Sequence, residues 1–275
     1  MINRKFAVGL IALGMSASAS AEYQWEGRVG AGFGEGDFPN GRGFDQYIIS
    51  LDGTYHFAPV DDTKGARAEA AFLDRASSVS LIDSYSNIEP NRGRDQDTWT
   101  YGVSGRYVEQ NLGLIGTASW RRSDVDPGSN SDAWSIGGGM YVLETTSVLL
   151  TYSEIDPSGR GLEDADFYNL GFEHYQPFGD AGLKVEFGYG FEDWDDFGDF
   201  DNYSLRGTYY PDPNFGFGIS YEHAESGNDE LDSYGPFVEY FFSPGVSVAL
   251  NYRYAEADNS QAESDLIAGT VRVRF

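Results

Sequence analysis

The chain has 275 residues, with 44 Asp or Glu against 18 Lys or Arg, a formal net charge of −26 and no Cys. The charge excludes the basic footprint of a nucleic-acid binder, and the missing thiols exclude a disulfide framework, a thiolate metal site and a cysteine nucleophile. A hydrophobic fraction of 40% rules out a helical membrane protein, while 16% aromatic residues are too many for a disordered acidic chain, so the composition is that of an unusual all-β protein.

Residues 1–21 read as a secretory signal peptide. Arg4 and Lys5 form a positive start, Phe6 to Met15 is apolar, and Ala19-Ser20-Ala21 is an A-x-A cleavage site. The uncharged run from Phe6 to Ala21 falls short of the ~20 residues that a spanning helix needs. No Cys follows, so a lipoprotein anchor is excluded. Residues 22–275 then form one domain, exported beyond the inner membrane and lacking any stretch apolar enough for a spanning helix. A spanning β-barrel needs only ~9–11 residues per strand, with alternate positions apolar.

Alternation of period two organises the rest of the chain. The first segment, 22–34, sets Tyr23, Trp25, Val29, Ala31 and Phe33 against Glu22, Gln24, Glu26 and Arg28. Segment 44–57 sets Tyr47, Ile49, Leu51, Tyr55 and Phe57 against Gln46, Ser50, Asp52, Thr54 and His56. Segment 66–73 sets Ala68, Ala70 and Phe72 against Arg67 and Glu69, and is expected to be the third strand. Similar alternation covers 97–108, 112–121, 134–142, 148–153, 168–173, 183–192, 203–209, 215–222, 234–242, 246–254 and 267–275, which makes fourteen segments. The segment 234–242 is the least clean, with Phe237 and Phe241 on the polar side.

The connections alternate in character. One set is short and rich in turn residues, such as Tyr210-Pro211-Asp212-Pro213-Asn214 and Ser243-Pro244-Gly245. The other set is longer and charged: 35–42, 74–97, 122–132, 154–166, 193–201, 225–232 and 255–265. An even strand count with short turns on one rim and long loops on the other predicts a closed antiparallel transmembrane β-barrel with short periplasmic turns and long acidic extracellular loops. A count of twelve or sixteen stays open if 74–97 hides a strand pair or one weak segment fails. The alternative, a secreted β-sandwich, buries its apolar face in a Val, Ile and Leu core. Here that face is heavy in Tyr, Phe and Trp, as interfacial girdles are, and the opposite face is rich in Gly, Ser, Thr and Arg.

The last residues, Ile267, Gly269, Val271, Val273 and Phe275, alternate to the end of the chain. This resembles the C-terminal assembly signal of Gram-negative outer-membrane barrels, with Val271, Val273 and Phe275 as its residues. With the signal peptide, the alternation and the segment Ala70-Ala71-Phe72-Leu73-Asp74-Arg75-Ala76-Ser77-Ser78, the chain is similar to the putative general bacterial porins. The resemblance implies an outer-membrane location, passive diffusion of small hydrophilic solutes or ions, and no catalytic residues or cofactor. It also implies contact with outer-membrane lipid, lipopolysaccharide and the barrel assembly machinery. Monomer and trimer both stay open.

Nine basic residues fall on expected inward faces: Arg28, Arg67, Arg106, Arg121, Lys184, Arg206, Arg253, Arg272 and Arg274. Inward acids include Glu26, Asp52, Glu69, Glu173, Glu186, Glu222 and Glu239. A lumen of both signs fits a water-filled pore braced by ion pairs, and pairs that fill and close the barrel are the alternative. In the longest loop, 74–97, Val79, Leu81, Ile82 and Ile88 are expected to fold into the barrel and narrow it, with an exposed cap or hairpin as the alternative. The later long loops are acidic, with Arg160 their one base, and form a solvated rim, with a cation-enriching vestibule or Ca²⁺ or Mg²⁺ capture, alone or bridging to lipopolysaccharide phosphates, as the alternatives. The run from Asp193 to Asp201 lacks EF-hand spacing, so no metal site is assigned.

Enzyme chemistry has little to build on. Gly102-Val103-Ser104-Gly105 lacks the context of a nucleophile elbow. His56, His174 and His223 are too scattered for one site, which leaves His223 with Asp229 and Glu222 as a remote hydrolytic candidate. The expected function is a porin, and a non-conducting surface barrel with an adhesion or structural role is the alternative.

Overall fold

The structure, a computed structural model, describes residues 22–38, 42–158, 164–194, 200–226, 229–258 and 262–275. The signal segment 1–21, Arg160 and the acids Asp195, Asp196 and Asp199 lie outside the described residues. Fourteen strands form one closed antiparallel barrel, in which each strand pairs with its neighbour in sequence and the last pairs with the first. They are β1 (Glu22–Asp37), β2 (Gly43–Asp61), β3 (Ser78–Pro90), β4 (Gln96–Glu109), β5 (Leu114–Asp126), β6 (Asn130–Leu143), β7 (Thr146–Ser158), β8 (Ala165–Phe178), β9 (Ala181–Trp194), β10 (Phe200–Asp212), β11 (Phe215–Ser226), β12 (Asp229–Ser243), β13 (Val246–Ala257) and β14 (Ala262–Arg274). Closure is complete down to the last residue. The amides of Gln24 and Trp25 donate to the Phe275 carbonyl at 3.1 and 2.8 Å, and the Phe275 amide donates to the Trp25 carbonyl at 3.0 Å.

The alternation resolves as an outward apolar face and an inward polar one. Phe33, Leu51, Ile136, Leu150, Ile219 and Ile267 stand exposed on the outside, as lipid-facing side chains do. Two aromatic belts border this band. Trp25, Tyr55, Tyr107, Tyr209, Phe217 and Tyr240 lie toward the rim that holds both termini, and Tyr85, Trp99, Trp120, Trp134, Tyr152, Tyr168, Tyr203 and Tyr234 toward the other. Neighbouring rings touch across strands, with centroids 5.0 Å apart for Tyr85–Trp99 and 5.3 Å for Tyr152–Tyr168.

Between the belts, Asp83 is the only outward-facing Asp, Glu, Lys or Arg among the described residues. It stands opposite Leu51 and Tyr101, one outward step below Tyr85 on β3. A carboxylate facing hydrocarbon is destabilising, though less so than Arg or Lys. Asp83→Leu is therefore expected to stabilise the barrel in lipid by up to about 2 kcal/mol. Urea unfolding in vesicles tests this, and an unchanged or lower midpoint contradicts it.

Two expectations are corrected. The third strand is not 66–73 but β3, from Ser78 to Pro90. Eight residues are too few to cross the apolar band, and their Ala content favours a helix. Instead, residues 67–69 form a 3-10 turn and α1 (Ala70–Leu73) follows it, with Ala66 and Ala70 buried inside the barrel. Val79, Leu81, Ile82 and Ile88 consequently belong to the β3 wall and not to a loop that narrows the pore, and Leu81 is 65% exposed on the outside. Asp83 interrupts the outward apolar series of β3, which is why the strand reads as loop.

The second correction concerns the charged rim. Most of it is strand: Ala255–Ala257 pairs with Ala262–Ser264, and Glu225 pairs with Glu230. A repeated hydrogen bond holds these extensions. An outward Tyr on one strand donates across the pair to an Asp near the start of the next: Tyr85 to Asp97 (2.5 Å), Tyr152 to Asp166 (2.7 Å), Tyr189 to Asp201 (2.6 Å), Tyr221 to Asp232 (2.6 Å) and Tyr252 to Asp265. Between β5 and β6, where Trp120 faces Trp134, Arg122 bridges Asp132 and Asp124 instead.

Candidate functional site

The barrel interior divides into a packed lower end and an open cavity above it. Residues 62–77, which connect β2 to β3 at the rim of the termini, fold inward and dock on side chains from much of the wall. The Ala66 amide donates to the Tyr175 hydroxyl oxygen (3.1 Å) and the Arg67 amide to the Pro213 carbonyl (2.9 Å). The Arg67 guanidinium donates to Asn214 and Asp62. Tyr210 donates to Glu69, and Tyr141 donates to the Phe72 carbonyl (2.9 Å). Two small apolar clusters seal the contact, one of Tyr23, Val60 and Ala70, the other of Ala66, Tyr175 and Tyr210. Tyr23 reaches the inside because a register shift between Tyr23 and Trp25 turns it away from the face that Trp25 occupies.

Two ion clusters brace this end. Lys184, its side chain 9% exposed, faces three carboxylates: Glu69 at 2.8 Å, Glu186 at 3.2 Å and Glu173 at 3.4 Å. Glu26 is the converse, a buried carboxylate among three guanidiniums, with Arg28 at 2.5 Å, Arg274 at 2.6 Å and Arg272 at 3.8 Å. Arg274 also donates to the Arg67 carbonyl at 2.7 Å, which ties the internal segment to the seam between β1 and β14. Each lone charge is surrounded by opposite charge, the condition under which ions persist away from bulk water.

Above lies a cavity of about 490 Å³. Ala68 and Glu69 of the internal segment contribute to its lining, with Arg28, Lys184, Glu186, Arg206, Glu239, Arg253 and Arg272 from the wall. The Arg206 guanidinium lies 3.6 Å from the centre of the Phe237 ring, and Arg274 and Arg272 lie over Phe241 at 5.0 and 5.6 Å. This accounts for the irregular pattern of β12: its two inward Phe side chains are platforms for arginines.

The wall brings Arg28, Lys184, Glu186, Arg206, Glu222, Glu239, Arg253 and Arg272 toward one side of the lumen. Arg106 and Glu173 lie lower, Arg106 donating to the Tyr141 hydroxyl at 3.3 Å. Arg121 of β5 is exposed on the inward face, with no ion pair among the described residues. Arg67 and Glu69 reach the lumen from the internal segment and not from a strand. Val271, Val273 and Phe275 are outward and exposed on the terminal strand.

The histidines do not converge. His56 is buried inside at the lower end, 5.4 Å edge-on from Tyr23, and His174 lies near the same rim beside Thr146. His223 sits at the far rim, where its Nδ1 is 2.9 Å from Asp232. Glu222 faces the opposite side of β11 and pairs with Arg253, so it is not a partner of His223, and the Asp229 side chain lies outside the described residues.

The sequence carries one further regularity. Every even-numbered strand carries, within its first four residues, an Asp followed two positions later by a large apolar or aromatic residue: Asp45 and Tyr47, Asp97 and Trp99, Asp132 and Trp134, Asp166 and Tyr168, Asp201 and Tyr203, Asp232 and Tyr234, Asp265 and Ile267. This repeat marks the start of each returning strand, including β4, and would have placed β3 before it.

Residues 5–257 match the family model described as "Putative general bacterial porin". No curated protein matches the chain. Among solved structures, the Acinetobacter baumannii outer membrane protein Omp33 is 21% identical, over 93% of this chain and 99% of that one, with a TM-score of 0.64. Pseudomonas aeruginosa OccK7 (OpdD) is 9% identical over 92% and 99%, with a TM-score of 0.47. The barrel, its apolar band and charged lumen, and the family match together place the protein in the outer membrane as a porin: it belongs to the putative general bacterial porin family.

Proposed function

We propose that residues 22–275 form a passage for passive diffusion of small hydrophilic solutes and ions, selected by size and by lumen charge. The observation that carries this reading is the cavity lined by charged side chains inside a barrel whose outer face is apolar. The pore wall on this reading comprises Arg28, Arg106, Arg121, Glu173, Lys184, Glu186, Arg206, Glu222, Glu239, Arg253, Arg272 and Arg274, with Arg67 and Glu69 at its lower constriction. Residues 1–21 serve as the export signal, cleaved near Ala21, and Val271, Val273 and Phe275 present the assembly signal to the barrel assembly machinery. No catalytic role is assigned.

The protein lacking residues 1–21, refolded in a planar bilayer under a KCl gradient, is expected to give steady single-channel conductance. A folded, heat-modifiable barrel that gives no current overturns the reading. The docking of residues 62–77 inside the lumen favours the second reading, a non-conducting surface barrel, and the same recording decides between the two.

A further inference from the structure

We propose that the lumen cavity is a binding site for small carboxylate solutes, held by the guanidiniums of Arg206, Arg253 and Arg28. The inference names the solute class of the passage proposed above and rests on that reading for its transport role.

The argument is an inventory of donors and acceptors. Three carboxylates line the cavity, and all are engaged. Glu69 accepts from Tyr210 and Lys184, Glu186 faces Lys184 and Arg206, and Glu239 accepts from Ser247 at 2.6 Å and faces Arg272. Lys184 is matched by three carboxylates and has nothing to spare. The arginines are different. Arg206, its side chain 48% exposed, has as its one ion pair among the described residues a long contact of 3.6 Å to Glu186, while Phe237 lies 3.6 Å beneath its guanidinium. Arg253, 51% exposed, uses Nη2 on Glu222 (2.8 Å) and Nε on Ser233 (3.1 Å), which leaves Nη1. Arg28, 44% exposed, spends Nε and Nη2 on one Glu26 oxygen. Arg272 is set apart from these three: it is buried between Glu26 at 3.8 Å and Glu239 at 3.4 Å, out of reach of a solute.

Donors are thus in surplus and acceptors are used up, and the surplus donors are planar forks. A carboxylate is the small solute that two parallel N–H groups of a guanidinium fit. Arg206, oriented by its aromatic platform and weakly paired, is the natural first contact. The acidic outer rim slows the approach of anions, so this site acts on solutes already inside the barrel mouth.

Malonate is a suitable probe, with uncharged malonamide as its isosteric control. Calorimetry on the refolded barrel in zwitterionic detergent is expected to show saturable malonate binding and none for malonamide. Arg206→Gln and Arg253→Gln are each expected to weaken malonate binding on the order of tenfold, with Arg206→Lys falling between. Heat-modifiability of each variant checks folding, and the malonate–malonamide comparison on the unaltered protein needs no variant. Equal binding of the two probes, or no malonate binding, overturns the site. A barrel that conducts but does not distinguish the probes loses the carboxylate site and keeps the passage. One that binds malonate without conducting keeps the site and loses the passage.

Discussion

Excising residues 62–76 and bridging Asp61 to Ser77 with a short Gly-Ser linker is expected to raise single-channel conductance severalfold. The segment fills the barrel end that holds the termini. It docks on Tyr141 of β6, Tyr175 of β8, Lys184 of β9, Tyr210 of β10 and Arg274 of β14, side chains that converge from most of the circumference. Wall-to-wall contact by one segment leaves little cross-section for ions, so its removal widens the narrowest point. The wall itself does not depend on the segment, because strand pairing from β1 through β14 closes without it. Loss of Glu69 leaves Lys184 with Glu173 and Glu186, which still neutralise it. Equal conductance with and without the segment would show that the constriction lies elsewhere.

Glu26→Gln has the larger expected effect on stability. Glu26 is 6% exposed and is the shared counter-ion of Arg28, Arg272 and Arg274. A neutral amide leaves three guanidiniums facing one another in a confined space, two of them, Arg272 and Arg274, with side chains 13% and 2% exposed. Breaking a buried ion pair from one side costs about 3–5 kcal/mol, and here the pair spans β1 and β14, where Glu26 stands opposite Arg274. Guanidinium unfolding in micelles is expected to show a midpoint well below that of the unaltered protein. In bilayers, whatever current remains shifts toward Cl⁻, since a negative charge has been taken from a basic wall. An unchanged midpoint would mean that lumen water solvates the three arginines well enough to make their carboxylate dispensable.

Strand identity and facing were legible because lipid and lumen impose opposite demands on adjacent residues, and thirteen of the fourteen strands lie over segments whose alternation announces them. The exception shows the limit. Ala68, Ala70 and Phe72 alternate with Arg67 and Glu69 as a strand would, yet they pack inside the barrel, where apolar and polar partners are both at hand. The true strand, β3, carries Asp83 on its outer face and Ile82 on its inner one, the reverse of the rule. The lumen charges could be placed on the inner wall from alternation alone. Their partners could not, because pairs such as Lys184 with Glu69, or Arg274 with Glu26, join residues set together by the closure of the barrel and not by sequence spacing. The charged rim was visible as charge, but its pairing rests on diagonal Tyr–Asp contacts between strands, which no single segment displays.

The contacts of the internal segment also order events in time. Ala66 reaches β8, Glu69 reaches β9 and β10, and Arg67 meets Arg274 on the last strand, 207 residues further along the chain. That set of partners exists together only after β14 has joined β1. Loop-closure entropy makes such distant contacts the latest to form. Seating of residues 62–77 is therefore completed last, because the Arg67–Arg274 contact has to wait for the strand that closes the wall.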